Sequence, residues 1–314
     1  MKSEYSKAWN AFFHSEVDNR VFAFLRISFG VVLILYALVL GPDWIRWFGD
    51  DGVLGKEEIR QNIDSDTWSV LLWLPGTETT LHLVFGIICL QILLFCIGWH
   101  TRLQTICLFV WIFSLHHRNN LIWEGGDIVI RVSFFLFIFM PLGARWSLDW
   151  LLSGREKNET SPVWALRLLQ LQQSFLYFSS VGQKLRGYDW TSGEAFYYVT
   201  RLEDFSNPLL SRLLPEGNLW IYQLVTWGSI AIEMLLIWAV WVPSLRRKAV
   251  ALGILFHVGI ELSMNLFVFQ WLMIFILCTH FFSSRSNSVR TEEKQLKDLH
   301  SSRAEQASSS NTER

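Results

Sequence analysis

The chain offers little on which nucleic-acid or disulfide chemistry could be built. Its 27 Lys and Arg nearly balance 28 Asp and Glu, a formal net charge of −1. No basic field of the kind that holds a phosphate backbone is present, so no nucleic-acid partner is expected. Cysteine is scarce. Cys89, Cys96, Cys107 and Cys278 all lie inside apolar blocks with no CxxC pair, which reads as small buried hydrophobes and predicts no metal. There is no fixed-period repeat, which excludes a repeat architecture. The first twenty residues are mixed and polar, unlike a cleavable signal, so the first apolar block is expected to stay as a helix.

What the sequence does have is apolar length. Of 314 residues 51% are hydrophobic, with 24 Phe and 17 Trp. These fall in blocks of about 15 to 24 residues, long enough to cross a hydrocarbon core of about 30 Å. The fold class expected is all-α: a polytopic integral membrane helical bundle of about eight transmembrane helices. The spans fall near 21–40, 81–99, 104–116, 127–142, 163–185, 219–242, 249–265 and 266–282. The first stops at Gly41-Pro42, a strong breaker. Residues 1–20 read as an interfacial amphipathic lead-in carrying Trp9, Phe12 and Phe13. Residues 21–282 form the transmembrane domain. Residues 283–314, rich in Ser, Glu, Lys and Arg, read as a disordered polar cytoplasmic tail. Lys and Arg outside the spans divide sixteen to eight in favour of the side holding the N-terminus, or ten to eight without the tail. That bias predicts both termini cytoplasmic, in a multi-pass protein of the bacterial cytoplasmic membrane, with the lipid bilayer as its first partner.

An ionisable residue inside such a block costs at least about 2.5 kcal/mol at the bilayer centre, so each needs a partner, a cavity or a task. Asp127 and Arg131 share a helix face at the start of the fourth span; an ion pair bracing the bundle is the favoured reading, a substrate-facing role the alternative. Arg167, Gln170, Gln173 and Ser174 make a polar stripe that either lines a cavity or joins helices. His257 and Glu261 are four apart, with Asn265 continuing their face, as in a proton relay or half of a metal site. Glu233 is expected to face an Arg or His on another helix, or to stand alone as a neutral acid. His116 and His117 close the third span and read first as solvated caps. Lys184 closes the fifth. It is either a snorkelling anchor or a base held in a partly dry place.

Tyr177-Phe178-Ser179-Ser180-Val181-Gly182-Gln183-Lys184-Leu185, followed by Asp189-Trp190 and Gly193, resembles a tract in the membrane domain of the vitamin K-dependent gamma-glutamyl carboxylases. It is similar too to their bacterial relatives, the horizontally transferred transmembrane (HTTM) domain proteins. Gly49-Asp50-Asp51-Gly52-Val53-Leu54, Asn119-Asn120, Arg145-Trp146-Ser147-Leu148-Asp149 and Phe256-His257 add to the likeness, which runs in order from about residue 10 to 282. In the carboxylases the lysine of that tract is regarded as the base that deprotonates reduced vitamin K. Oxygenation and removal of a glutamate gamma proton then precede carbon dioxide addition. The resemblance implies that role for Lys184, with reduced vitamin K or another membrane quinol as cofactor. The carboxylases have a histidine after the Asn pair, where this chain has Leu121. They also carry a lumenal domain that recognises a propeptide, so a secreted peptide substrate here is expected to need a separate recognition protein.

The residues expected to line a site are His116, His117, Asn119, Asn120, Asp127, Arg131, Arg167, Asp189, Trp190, His257 and Glu261, around Lys184. The competing expectation is a non-catalytic membrane accessory. Some stand-alone relatives act in the maturation of, or immunity to, secreted peptide toxins. A transporter is a weaker third option, because no pair of broken helices occupies matching halves.

Overall fold

The computed structural model describes residues 2–62, 68–122, 124–153, 158–202, 206–207, 219–264 and 266–282. The polar tail 283–314, Asn265 and most of 203–218 lie outside them. The helices are α1 (Lys2–Phe13), α2 (Arg20–Leu40), α3 (Trp44–Phe48), α4 (Lys56–Asn62), α5 (Val70–Trp73), α6 (Glu78–Ile97), α7 (Thr101–Arg118) and α8 (Gly125–Phe137). They continue as α9 (Leu148–Leu152), α10 (Trp164–Lys184), α11 (Tyr188–Ser192), α12 (Ala195–Val199), α13 (Leu219–Ala239), α14 (Arg246–Ser263) and α15 (Phe267–Cys278). Among the described residues, three stretches are long and apolar enough to cross a membrane: Arg20–Phe48, Glu78–Ile97 and Leu219–Ala239. Helix α8 ends at Phe137, earlier than the expected 142, and its 13 residues reach only about 20 Å.

One departure from an all-helical fold is a small antiparallel ribbon. Strand β1 (Glu16–Asp18) pairs with β2 (Thr160–Pro162), inside what reads in sequence as a polar linker. It ties the entry of α2 to the entry of α10. Near that end, Arg26 of α2 is fully buried. It donates to the carbonyls of Cys96 (3.3 Å), Leu142 (2.6 Å), Arg145 (3.1 Å) and Trp146. Cys96 is in the last turn of α6, where carbonyls lack helical partners and the dipole is negative. A buried cation is thus satisfied by carbonyl dipoles. Helix α6 stops there because Gly98 adopts a left-handed φ of 74°, and a Cβ would collide with Ser147.

The helices pack through one continuous apolar core running from Val17 to Leu277. Aromatic side chains dominate its middle: Phe29 meets Phe137 at 4.8 Å between ring centroids, and Phe95 meets Phe134 at 5.4 Å. Helix α1 keeps Tyr5 and Trp9 outward and turns Phe12 onto Trp241, 5.4 Å away.

Candidate functional site

Helix α10 is shorter on one side than its neighbour, and that places Lys184. Trp241, just past α13, donates from Nε1 to Ser174 Oγ (2.9 Å), ten residues before the end of α10. Lys184 therefore does not mark the outer rim of the bundle. It lies opposite Glu233, fourteen residues and about 21 Å along α13. Lys184 Nζ donates to Glu233 Oε1 at 2.8 Å, and Ser180 Oγ donates to Oε2 at 3.0 Å. The Lys184 and Glu233 side chains are 15% and 8% exposed. The indole of Trp190, on α11, stands 4.5 Å from the ammonium. The snorkelling-anchor reading of Lys184 does not survive this geometry. Glu233 faces a lysine, not an arginine or histidine, and it is not solitary.

Lys184, Glu233 and Trp190 form part of the wall of a cavity of about 890 Å³ between α10, α13, α14 and α15. That is the upper range of small-molecule sites, ~300–1,000 Å³. Most of its wall is apolar, from Leu176 and Phe196 to Ile232, Phe256 and Phe269. Helices α11 and α12 close part of it by running beside α13: Phe196 N donates to Thr226 Oγ1 (3.1 Å) and Trp227 Nε1 to the Thr191 carbonyl (3.3 Å). At the inner end of the cavity, Tyr177 Oη lies 2.7 Å from His257 Nε2, and His257 Nδ1 meets Gln270 Oε1. With both ring nitrogens engaged, His257 has none left for a metal. Glu261, one turn on, is not in the cavity wall, and its Oε2 finds no hydrogen-bond partner among the described residues.

Several expected site residues lie elsewhere. Asp127 and Arg131 do not pair. Asp127 sits three residues past the N-cap Glu124 and turns its carboxylate back to the Glu124 N–H (2.8 Å), completing a capping box. Its other oxygen meets Tyr36 Oη and His116 Nε2, both at 3.2 Å. His116 is thereby buried, not a solvated cap. His117 stacks on Phe113, 4.0 Å between centroids, with Nδ1 2.8 Å from the Phe113 carbonyl. The cavity beside His116 and Asp127 holds only about 40 Å³, room for a water rather than a quinol.

Asn119 and Asn120 also part company. Asn119 is buried, donating to the Trp47 carbonyl (2.9 Å) and accepting from Leu121 N (3.0 Å), whereas Asn120 is exposed. Next to it, buried Arg118 donates to the carbonyls of Leu54, Phe48 and Gly49 at 2.8–2.9 Å. The Gly49–Leu54 and Asn-Asn segments of the resemblance are therefore two halves of one loop anchor. Asp149 likewise accepts from His100 N and Thr101 N, both 2.7 Å, capping α7. Arg167 ties α10 to α1, donating from Nε to the Phe12 carbonyl (3.3 Å), and its Nη1 donates to Gln170 Oε1 on the same helix (2.8 Å); Gln170 in turn donates to Thr279 Oγ1 (3.0 Å) and Gln173 to the Met273 carbonyl (2.7 Å). Asp189 is exposed and absent from the cavity wall. Of the residues expected around Lys184, only Trp190 and His257 gather with it.

Ser180, Tyr177 and Gln270 belong to the site and were not singled out as site residues in the sequence. The first two had a signal: they precede Lys184 by four and seven residues, which places them on one helix face. Gln270 had none beyond being polar in an apolar run.

Two curated proteins of Bacillus subtilis (strain 168) are similar to this chain. The uncharacterized protein YitO is 24% identical over 203 residues, 62% of this chain and 65% of its own length. The sporulation-delaying protein SdpB is 26% identical over 172 residues, 52% of each. The chain thus spans between half and two thirds of the length of these relatives. No solved structure matches. The family model of the HTTM domain matches residues 14–285, from the ribbon before α2 to the end of the described core. With its long apolar helices and in-order motifs, the chain belongs to the HTTM domain family of helical membrane proteins.

Proposed function

We propose that this is an eight-span protein of the bacterial cytoplasmic membrane, both termini cytoplasmic, that modifies a secreted peptide by quinol-dependent, carboxylase-like chemistry with Lys184 as base. The observation that carries the reading is a single amine, paired to a carboxylate and covered by an indole, on the wall of an otherwise apolar 890 Å³ cavity. Alternating directions of α2, α6, α7, α8, α10, α13, α14 and α15 support the span count. The β1–β2 ribbon and the Arg26 contacts gather one set of helix ends, and Arg118 with the Phe48 region gathers ends from the other set.

A quinol fits this donor set: its rings suit the apolar wall, and one ionisable hydroxyl can face Lys184. When bound, it supplies reducing equivalents and that acidic hydroxyl. The residues do the rest. Glu233 Oε1, 2.8 Å from Nζ, holds the Lys184 amine at the cavity wall where the hydroxyl would lie. That amine takes the hydroxyl proton, and the ammonium so formed stays beside the oxygen that released it. Trp190 keeps water from the amine, and Ser180 holds Glu233 in place. A secreted peptide would be delivered by a separate recognition protein.

The test is quinol oxidation or epoxide formation under oxygen by purified protein offered several quinols. Turnover in the wild type that disappears in folded Lys184→Ala is expected. Turnover retained in that variant would end the assignment. A second reading, a non-catalytic accessory in maturation, export or immunity of a secreted peptide or toxin, draws on a different observation. Asn119, Ser147 and Asp149, all within the family-like segments, are engaged in holding backbone. Inert protein that captures the product of a neighbouring gene for a small secreted peptide would favour it.

A further inference from the structure

Helices α7 and α14 both begin at the end of the bundle that carries the ribbon, but only α7 has its positive pole answered. There Asp149 accepts from His100 N and Thr101 N. Helix α14 opens with Arg246-Arg247-Lys248, has no acid in its first turn, and follows Leu245, which offers no side-chain cap. Among the described residues no acceptor takes the N–H groups of Arg247 and Lys248. Three cations on the positive pole of an 18-residue helix repel it, and an anion would relieve the strain. A second group, on a different element, asks for the same ligand. Just past α15, the turn Thr279–Phe281 packs against α14 and buries His280, 3% exposed. Its Nε2 has no hydrogen-bond partner among the described residues, a costly state for a buried polar atom. The charges of Arg167 and Arg246 both reach it, and both are positive. Trp241 holds the cluster together: its ring lies 5.1 Å from His280, 5.4 Å from Phe12 and 5.9 Å from the Arg167 guanidinium. Arg246 folds back over the same turn, donating from Nε to the Val240 carbonyl (3.2 Å).

We infer that the first turn of α14, the Arg246 guanidinium and His280 Nε2 form a site for one phosphate-bearing anion. Phosphate matches this donor set. Backbone N–H groups at a helix N-terminus, a guanidinium and an imidazole N–H all donate, and tetrahedral phosphate oxygens accept from several directions at once. A carboxylate ligand would offer only two oxygens in one plane. The surroundings favour a lipid head group over free phosphate. Leu245 and Phe281, 37% and 49% exposed, flank the cluster, and α1 turns Tyr5 and Trp9 outward beside it, the pattern of an interfacial belt. Arg167 and Lys184 stand at opposite ends of α10, so this site is separate from the 890 Å³ cavity and does not rest on the chemistry proposed there.

The experiment is calorimetric titration of full-length protein in a neutral detergent, with dioctanoyl phosphatidylglycerol and, separately, with inorganic phosphate. Saturable binding of the lipid to a single site is expected. Arg246→Gln and His280→Phe should each weaken that binding about tenfold, the equivalent of about 1.4 kcal/mol. Arg102→Gln removes the same charge from the first turn of α7, where Asp149 already serves as the anion, and should leave binding unchanged. Thermal unfolding of each variant checks its folding. Arg246 is only half-buried, so its replacement keeps the test decisive should His280→Phe fail to fold. Lipid binding that phosphate displaces, with phosphate itself depending on Arg246 and His280, keeps the anion site and assigns it to free phosphate. Binding indifferent to both variants, or falling equally in Arg102→Gln, would mean a diffuse basic face and overturn the inference. Wild type that binds neither probe would overturn it as well.

Discussion

Replacing Lys184 with methionine strands the Glu233 carboxylate, and the size of the penalty measures how dry the pair is. The partner side chains are 15% and 8% exposed, well inside the range where breaking an ion pair is costly. Removing one member of a buried pair costs about 3–5 kcal/mol. Ser180 still donates to Glu233, so Lys184→Met should fall near the lower figure, about 3 kcal/mol. Glu233→Gln should cost less, because Trp190 still faces the ammonium at 4.5 Å. Making both changes removes both charges while methionine keeps the stem and glutamine keeps the Ser180 contact, so the double variant should lie within about 1.5 kcal/mol of wild type. The cycle is measured by detergent-titrated unfolding followed by tryptophan fluorescence, and a coupling of at least about 2 kcal/mol is expected. Single variants each within about 0.5 kcal/mol of wild type, with an additive double, would mean a solvated surface pair and would undo the argument for a base in a dry cavity.

Two further outcomes separate scaffold from site. Asn119→Ala removes two hydrogen bonds, leaving the Trp47 carbonyl without its donor and Leu121 N without its acceptor; it should destabilise by about 1–3 kcal/mol yet leave quinol turnover per folded molecule unchanged, as read by unfolding and activity on the same sample. At the ribbon, partial burial pushes the Asp18 carboxyl up, but hydrogen bonds from the Arg20 side chain and backbone and the charges of Arg20 and Arg145 outweigh it, leaving Asp18 below its ordinary value of 3.8. A depressed carboxylate stabilises the fold above its unfolded-state value, and that share is lost as pH falls from about 3.8 through the lower folded value. Asp18→Asn should therefore flatten the acid limb of the stability curve below that pH and lower stability at neutrality, where the carboxylate's share is fully present; an unchanged acid limb would show that the ribbon is not held by this charge.

Hydropathy made most of the core helices legible, since blocks such as 163–185 and 219–242 match α10 and α13 within a few residues. The ribbon was not legible, because three-residue strands carry no alternation and their pairing joins Val17 to Ser161 across the chain. Arg26 could be seen as a charge within a span, but its four carbonyl partners come from the end of α6 and the loop between α8 and α9, which spacing does not reveal. At the site, local relations read correctly and distant ones did not. Ser180 and Tyr177 share a face with Lys184 by periodicity, whereas Glu233 is 49 residues away and only packing assigns its partner. Asp127 misled for a reason internal to its helix: at the third position the carboxylate is drawn back to the cap, away from Arg131. The depth of Lys184 depends on how far α10 slides along α13, which no single-sequence pattern records.

The central claim is that Lys184 works by giving up and taking a proton, not only by balancing Glu233. Lys184→Arg tests it most directly, because a guanidinium preserves the ion pair but cannot be deprotonated in a protein. Quinol oxidation by the wild type and by Lys184→Arg, in the same nanodiscs and after confirming equal unfolding, is the measurement. The account predicts a stable variant whose turnover falls by at least about 100-fold, the lower range for a lost general base. Wild-type turnover in the arginine variant would contradict it.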